Sequence, residues 1–120
     1  MNTELVTRLF KSFESIAHAE AVVEFWLARE LQDLLGYSKG CNFELVLEKA
    51  KLACRNAGHR VEDHFADVGK MVDLGSGAQR LIEDVALTRY ACYLIAQNGD
   101  PRKPEIAFVQ TYFAVQTRIT

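Results

Sequence analysis

Proline, cysteine and tryptophan are scarce in these 120 residues, at two, three and one, and neither charge sign dominates, with 14 Lys or Arg against 16 Asp or Glu. Three cysteines (Cys41, Cys54, Cys92) are an odd number at irregular spacing, which argues against a disulfide scaffold. A reducing cytoplasm is therefore the expected compartment. No apolar run approaches the roughly 20 residues of a membrane span. The opening Met1-Asn2-Thr3-Glu4 lacks the basic-then-apolar layout of a secretory leader. There is no linker, internal repeat or low-complexity stretch. The formal charge of -2 excludes a uniformly basic nucleic-acid binder and leaves room only for a local patch.

What is present is ordinary globular composition, 49% hydrophobic and 25% charged. A chain of this length is expected to form one domain over 1–120, burying roughly two-thirds of its unfolded surface. The first 50 residues carry five basic and eight acidic side chains, the remainder nine and eight. One dense run stands out. Lys49, Lys51, Arg55 and Arg60 follow one another with no acid among them, before Glu62, Asp63 and Asp67.

Helical periodicity dominates. Leu5, Leu9, Phe13 and Ile16 predict a helix over 4–17, with Asn2 or Thr3 as its cap. The β-branched and aromatic run 22–27 predicts a short strand. Ala28, Leu31, Leu34 and Leu35 form an apolar face that ends at Gly36, suited to a left-handed C-cap. Phe43, Val46, Leu47, Ala50, Ala53, Cys54 and Ala57 share one stripe between Asn42 and Gly58, which predicts a helix over 43–57. Residues 66–85 predict a hairpin around Gly75-Ser76-Gly77, with Leu81 and Val85 facing inward, and a helix within 62–72 competes with it. Residues 87–98 are apolar nearly all round and predict a central buried helix capped by Thr88 and stopped by Gly99 and Pro101. Pro104 suits the first turn of a last helix to about 118, whose apolar residues cover more than one face. The expectation is an α+β fold, mainly helical with about five helices, and a small antiparallel sheet.

Several constellations bear on chemistry. Cys54, His59 and His64 lack the tight ligand pairs of a zinc site, so no metal is expected. Cys41 or Cys92 with His64 has no third orienting group, and Cys92 lies in an apolar helix where a thiol packs rather than reacts. Glu62-Asp63 and Glu83-Asp84 are adjacent in sequence and do not face each other. The glycine turn has no Lys-Ser/Thr after it and is no P-loop. No catalytic residue, cofactor or enzyme activity is expected.

The segment from Ala28 to Ser38, followed by helix 43–57, has a helix-turn-helix flavour, but its connection is long and Glu44 and Glu48 open the second helix. Acids there would repel phosphates, which disfavours standard major-groove docking. The later half differs, because Lys51 and Arg55 lie one turn apart and Arg60 follows. That strip suits phosphate contacts, or simply complements the helix dipole. Arg102 and Lys103 lie in a Pro-stiffened loop open to the same two readings. Tyr37, Tyr90, Tyr93 and Tyr112 are candidates for base stacking or for the core.

Six stretches, taken together, carry a family likeness. They are Trp26 to Leu31, Leu34 to Tyr37, Asp63-His64-Phe65, Leu87 to Leu94, Gln97 to Pro101 and Gln110 to Arg118. In order and spacing they resemble the N-terminal half of the DNA-damage-inducible protein D family of bacteria. More distantly, the layout is similar to the N-terminal domain of phage antirepressors and baculovirus repeated-ORF proteins, which are linked with DNA binding. The resemblance implies a non-enzymatic protein of the DNA-damage (SOS) response, acting on DNA, single- or double-stranded, or on a recombinase filament formed on DNA. The candidate contacts are Lys51, Arg55, Arg60, Arg89, Arg102 and Lys103, with Arg29, Tyr37 and Lys39 around the first turn. The rival expectation is a protein-interaction module that dimerises, or seats a further C-terminal domain, through helix 104–118.

Overall fold

The structure, a computed structural model, describes residues 11–20, 23–38 and 40–119. A helical segment α1 (11–15) leads into strands β1 (His18–Glu20) and β2 (Val23–Leu27). Helices α2 (Ala28–Leu34) and α3 (Gly40–Asn56) follow, then a single turn α4 (Val61–His64). The hairpin strands β3 (Phe65–Asp73) and β4 (Gln79–Leu87) come next, and helices α5 (Arg89–Asn98) and α6 (Pro104–Ile119) close the chain. The α+β expectation holds, with six helices among the described residues where the periodicity suggested five. The additional one is α4, too short to leave a periodic trace. The part of the 4–17 expectation before residue 11 lies outside the described residues.

The four strands order as β1-β2-β4-β3, every neighbour antiparallel. The hairpin forms as the turn residues predict. It pairs Phe65 with Leu87 at its base and Asp73 with Gln79 at its tip. Its facing follows the expectation at Val85, which packs against the core, and departs from it at Leu81. Leu81 pairs with Met71 and is 55% exposed, and Val85 is only partly buried. The outer half of the hairpin extends past the core, so alternation there no longer reports an inside. β1 was not anticipated, because three residues are too few for an alternating pattern to register.

The core forms where α1, β2, α5 and α6 meet. Trp26 and Phe13 are fully buried with rings stacked at 4.7 Å, and the Trp26 Nε1–H donates to the Phe13 carbonyl at 2.8 Å. The indole thus satisfies its one donor while filling the core. Thr88 caps α5 as expected, its Oγ1 accepting from the Ala91 N–H at 3.1 Å. Helix α3 packs on α5 through the predicted stripe, including Phe43, Val46, Ala50 and Cys54. Gly36 adopts φ +76° just after α2, a left-handed conformation that glycine takes without steric cost. That turn brings the chain back against the loop between α5 and α6. The Asp100 N–H donates to Tyr37 Oη at 3.2 Å, and Lys103 Nζ donates to the Gly36 carbonyl at 2.8 Å.

Candidate nucleic-acid interface

Helix geometry divides the dense cationic run. At about 100° per residue, Lys49 and Lys51 point about 200° apart around α3, on either side of its solvent-facing surface. Arg55 follows Lys51 by one turn and shares its edge. Lys51 Nζ lies 3.7 Å from Glu48 Oε1, and Arg60 Nε lies 3.8 Å from Glu62 Oε2. Pairs this long and exposed contribute little and leave both cations available. Arg55 and Lys49 have no ion-pair partner among the described residues.

The remaining candidates are more committed. Arg89 donates to Glu14 at 2.9 Å, to Glu24 at 3.0 Å and to Tyr112 Oη at 3.2 Å. Its guanidinium also sits 5.0 Å from the Trp26 ring centroid. Hydrogen bonding to Glu14 raises its already high pKa further. This arginine joins α1, β2, α5 and α6, and its donors are directed at protein groups. Arg29 Nε donates to the Glu83 carbonyl at 2.8 Å, and its backbone N–H to Asp84, which ties α2 to the hairpin base. Arg102 holds the Asp100 carboxylate through Nε and Nη2, both at 3.0 Å, and keeps that acid below its ordinary range. Lys39 lies outside the described residues. Among the described candidates, protein acceptors thus take Arg89, Arg29 and Arg102, Lys51 and Arg55 share one edge of α3, and Tyr37 and Lys103 meet at the α5–α6 loop.

What the structure does bring together is an open cleft of about 550 Å³ between the α2–α3 turn and the α5–α6 loop. Tyr37, Ser38, Asn42, Leu45, Lys49, Asn98, Asp100 and Lys103 are among the residues that line it. Lys103 Nζ sits 4.9 Å from the Tyr37 ring centroid, a cation–π contact that fixes the ammonium over the ring. Its bond to the Gly36 carbonyl uses one of three N–H donors and leaves two for a ligand. Lys49 enters from α3. Lys49 and Lys103 line the cleft beside neutral amides and a hydroxyl, with Asp100 held by Arg102 and the Glu105 carboxylate next to Gly36. That donor set suits a phosphate or another oxyanion. Sequence reasoning named Tyr37 and Lys103 as candidate contacts and placed Lys49 in the dense cationic run without carrying it into that set. Its signal was available, because Lys49 shares a helix flank with Asn42, Leu45 and Val46.

The Cys54 and Cys92 thiols are not arranged for chemistry, and the Cys41 side chain lies outside those described. Burial raises the Cys54 pKa, with Asp63 and Glu62 adding to it, and burial raises that of Cys92 more strongly. Both stay protonated at neutral pH and are poor nucleophiles. His59 and His64 pack edge-to-face at 5.6 Å, each also against Tyr90, and His64 Nδ1 lies 2.7 Å from Thr88 Oγ1. Among the described residues no three His, Cys, Asp or Glu side chains gather as metal ligands. No helix among them is long and apolar enough to cross a membrane.

Over residues 15–114 the sequence matches the BRO family, N-terminal domain. It is 57% identical over 95 residues to the DNA damage-inducible protein D of Escherichia coli (strain K12), an alignment covering 79% of this chain and 35% of that protein. The chain thus spans about a third of the length of that curated relative. No solved structure matches it.

Proposed function

The chain belongs to the BRO family through its N-terminal domain, and on that premise we propose that it is a non-enzymatic DNA-contacting module of a DNA-damage response protein. The single observation that carries this reading is the convergence of Lys49 and Lys103 on one open cleft beside Tyr37. The two lysines come from elements more than fifty residues apart, so the cationic site exists only in the folded chain. They hold backbone phosphates, and Lys51, Arg55 and Arg60 contribute only through the diffuse field around α3. The name of the relative, a DNA damage-inducible protein, supports the cellular setting. The likeness to antirepressor N-terminal domains supports DNA as the ligand. On the same reading the protein works in the cytoplasm, on free DNA or on a recombinase filament assembled on DNA.

The test is a titration with single- and double-stranded oligonucleotides at two salt concentrations. Replacing Lys49 and Lys103 together by Ala should weaken binding and make its logarithmic salt slope shallower by about 0.7–0.9 per lost phosphate contact. Unchanged affinity and slope would remove the cleft from consideration.

A further inference from the structure

The 17-residue helix α3 is amphipathic, but its outer surface is not uniformly polar. Leu45 is 63% exposed and Leu52 53% exposed. Seven residues apart, they lie two turns from each other on nearly one line, opposite the buried Phe43, Ala50 and Cys54. A solvated helix face has no need of two protruding leucines in register.

Charge along the adjoining edge is segregated by half. Glu44 and Glu48 occupy the first half, and Lys51 and Arg55 the second. When two identical helices pair antiparallel about a two-fold axis, the same edge of each faces its counterpart in reverse. That arrangement sets Glu48 beside Lys51 of the other copy and Glu44 beside Arg55 of the other copy, each contact made twice. It also sets Leu45 against Leu52 of the other copy, again twice. A parallel pair would instead set this edge against the opposite edge of the other copy, which carries Asn42, Lys49 and Asn56 and no acid to meet Lys51 and Arg55. Both the acids and the bases of this edge therefore find opposite charges only in the antiparallel orientation.

From this pattern we infer that α3 is a self-association surface, pairing antiparallel with α3 of a second copy of this chain through Leu45 and Leu52, flanked by reciprocal Glu48–Lys51 and Glu44–Arg55 contacts. The intrachain contact between the partly buried Lys51 and the exposed Glu48, at 3.7 Å, is long enough to be exchanged for an interchain one. Lys49 lies on the other edge near the axis, where its counterpart is long enough to splay away into solvent. Leu45 also lines the Lys49–Lys103 cleft, whereas Leu52, Glu44, Glu48, Lys51 and Arg55 do not, so the charge variants below test the pairing separately from the proposed phosphate contacts. One helix pair falls below the ~1,200 Å² of stable interfaces, so the association is weak and concentration-dependent.

Sedimentation equilibrium from micromolar to millimolar protein tests it. The chain should move from monomer towards dimer across that range. Leu45→Gln with Leu52→Gln should remain monomeric throughout, with an unchanged circular dichroism spectrum, since both side chains are exposed. Glu44→Lys with Glu48→Lys, and separately Lys51→Glu with Arg55→Glu, should each weaken self-association about tenfold or more through like-charge contact. An equimolar mixture of those two charge variants should form a heterodimer, because one edge is then wholly basic and the other wholly acidic. A chain that stays monomeric at all concentrations, a dimer indifferent to the leucine pair, or charge variants that fail to associate when mixed would each overturn the inference. A dimer that survives the leucine changes would locate the interface elsewhere, as in α6.

Discussion

Arg89 and Glu14, 75 residues apart in sequence, join their charged ends at 2.9 Å across the rim of the aromatic core. The guanidinium rests over the Trp26 ring, and the Tyr112 hydroxyl donates to the same Glu14 oxygen at 2.6 Å. One arginine therefore ties α1 and β2 to the first turn of α5 and to α6. Its side chain is 39% exposed, so solvent moderates each ion pair, and the value lies in the network and in guanidinium stacking.

Arg89→Ala should destabilise the fold by about 1–3 kcal/mol, because it leaves Glu14, Glu24 and Tyr112 without their shared donor. Arg89→Lys should recover only part of that loss, since an ammonium cannot reproduce a planar fork reaching two carboxylates. Thermal unfolding of the two variants beside the parent is the measurement. Equal stability of all three would show the network to be energetically idle.

Acid should find the same network. The hydrogen bond from Arg89 holds the Glu14 carboxyl below its ordinary value of 4.5, against the opposing effect of burial. For an acid whose folded pKa is depressed, the stabilisation is complete above the unfolded value and is lost as pH falls through the folded one. The melting temperature should therefore decline as pH drops below about 4.5, and Glu14→Gln should flatten that decline while lowering stability at pH 7. A pH profile that is the same in Glu14→Gln as in the parent would assign the acid sensitivity to other carboxylates.

Gly99 matters for space rather than for backbone conformation. Its φ of -78° is available to any residue. A methyl group there would approach Ile106 Cδ1 at 2.6 Å, with Cγ1 at 3.2 Å and Cγ2 at 3.3 Å. Ile106 is fully buried, so one rotamer change does not clear the contact. Gly99→Ala should cost about 1–3 kcal/mol by overpacking. Adding Ile106→Val removes the nearest atom, so the double variant should be more stable than the sum of the singles implies. Strict additivity in chemical denaturation would contradict this packing account.

Local rules carried most of the architecture. The stripe from Phe43 to Cys54 announced α3, the Thr88 hydroxyl announced the start of α5, and Gly36 marked the left-handed end of α2. The Gly75-Ser76-Gly77 turn announced the hairpin, since its φ values of 80°, 47° and 80° suit few other sequences. These signals are read from residues that are neighbours in the chain. The short elements β1 and α4 left too few residues for a period to emerge. The outward facing of Leu81 escaped because alternation along a strand names two faces without saying which one meets the core.

The candidate site divides in the same way. Composition alone shows that any anion must be met by a local cluster, and sequence identifies which cations are available. Which of them stand together was settled by the fold. Two residues along a helix turned Lys49 and Lys51 to opposite flanks, while the packing of the 36–38 turn on the 99–103 loop brought Lys103 and Tyr37 to Lys49. Arg89 looks in sequence like any other surface cation, and only long-range packing shows it held between two carboxylates and a tryptophan ring. Secondary structure follows from interactions a few residues apart. A binding surface is a sum of charges whose separations are fixed only when distant elements dock.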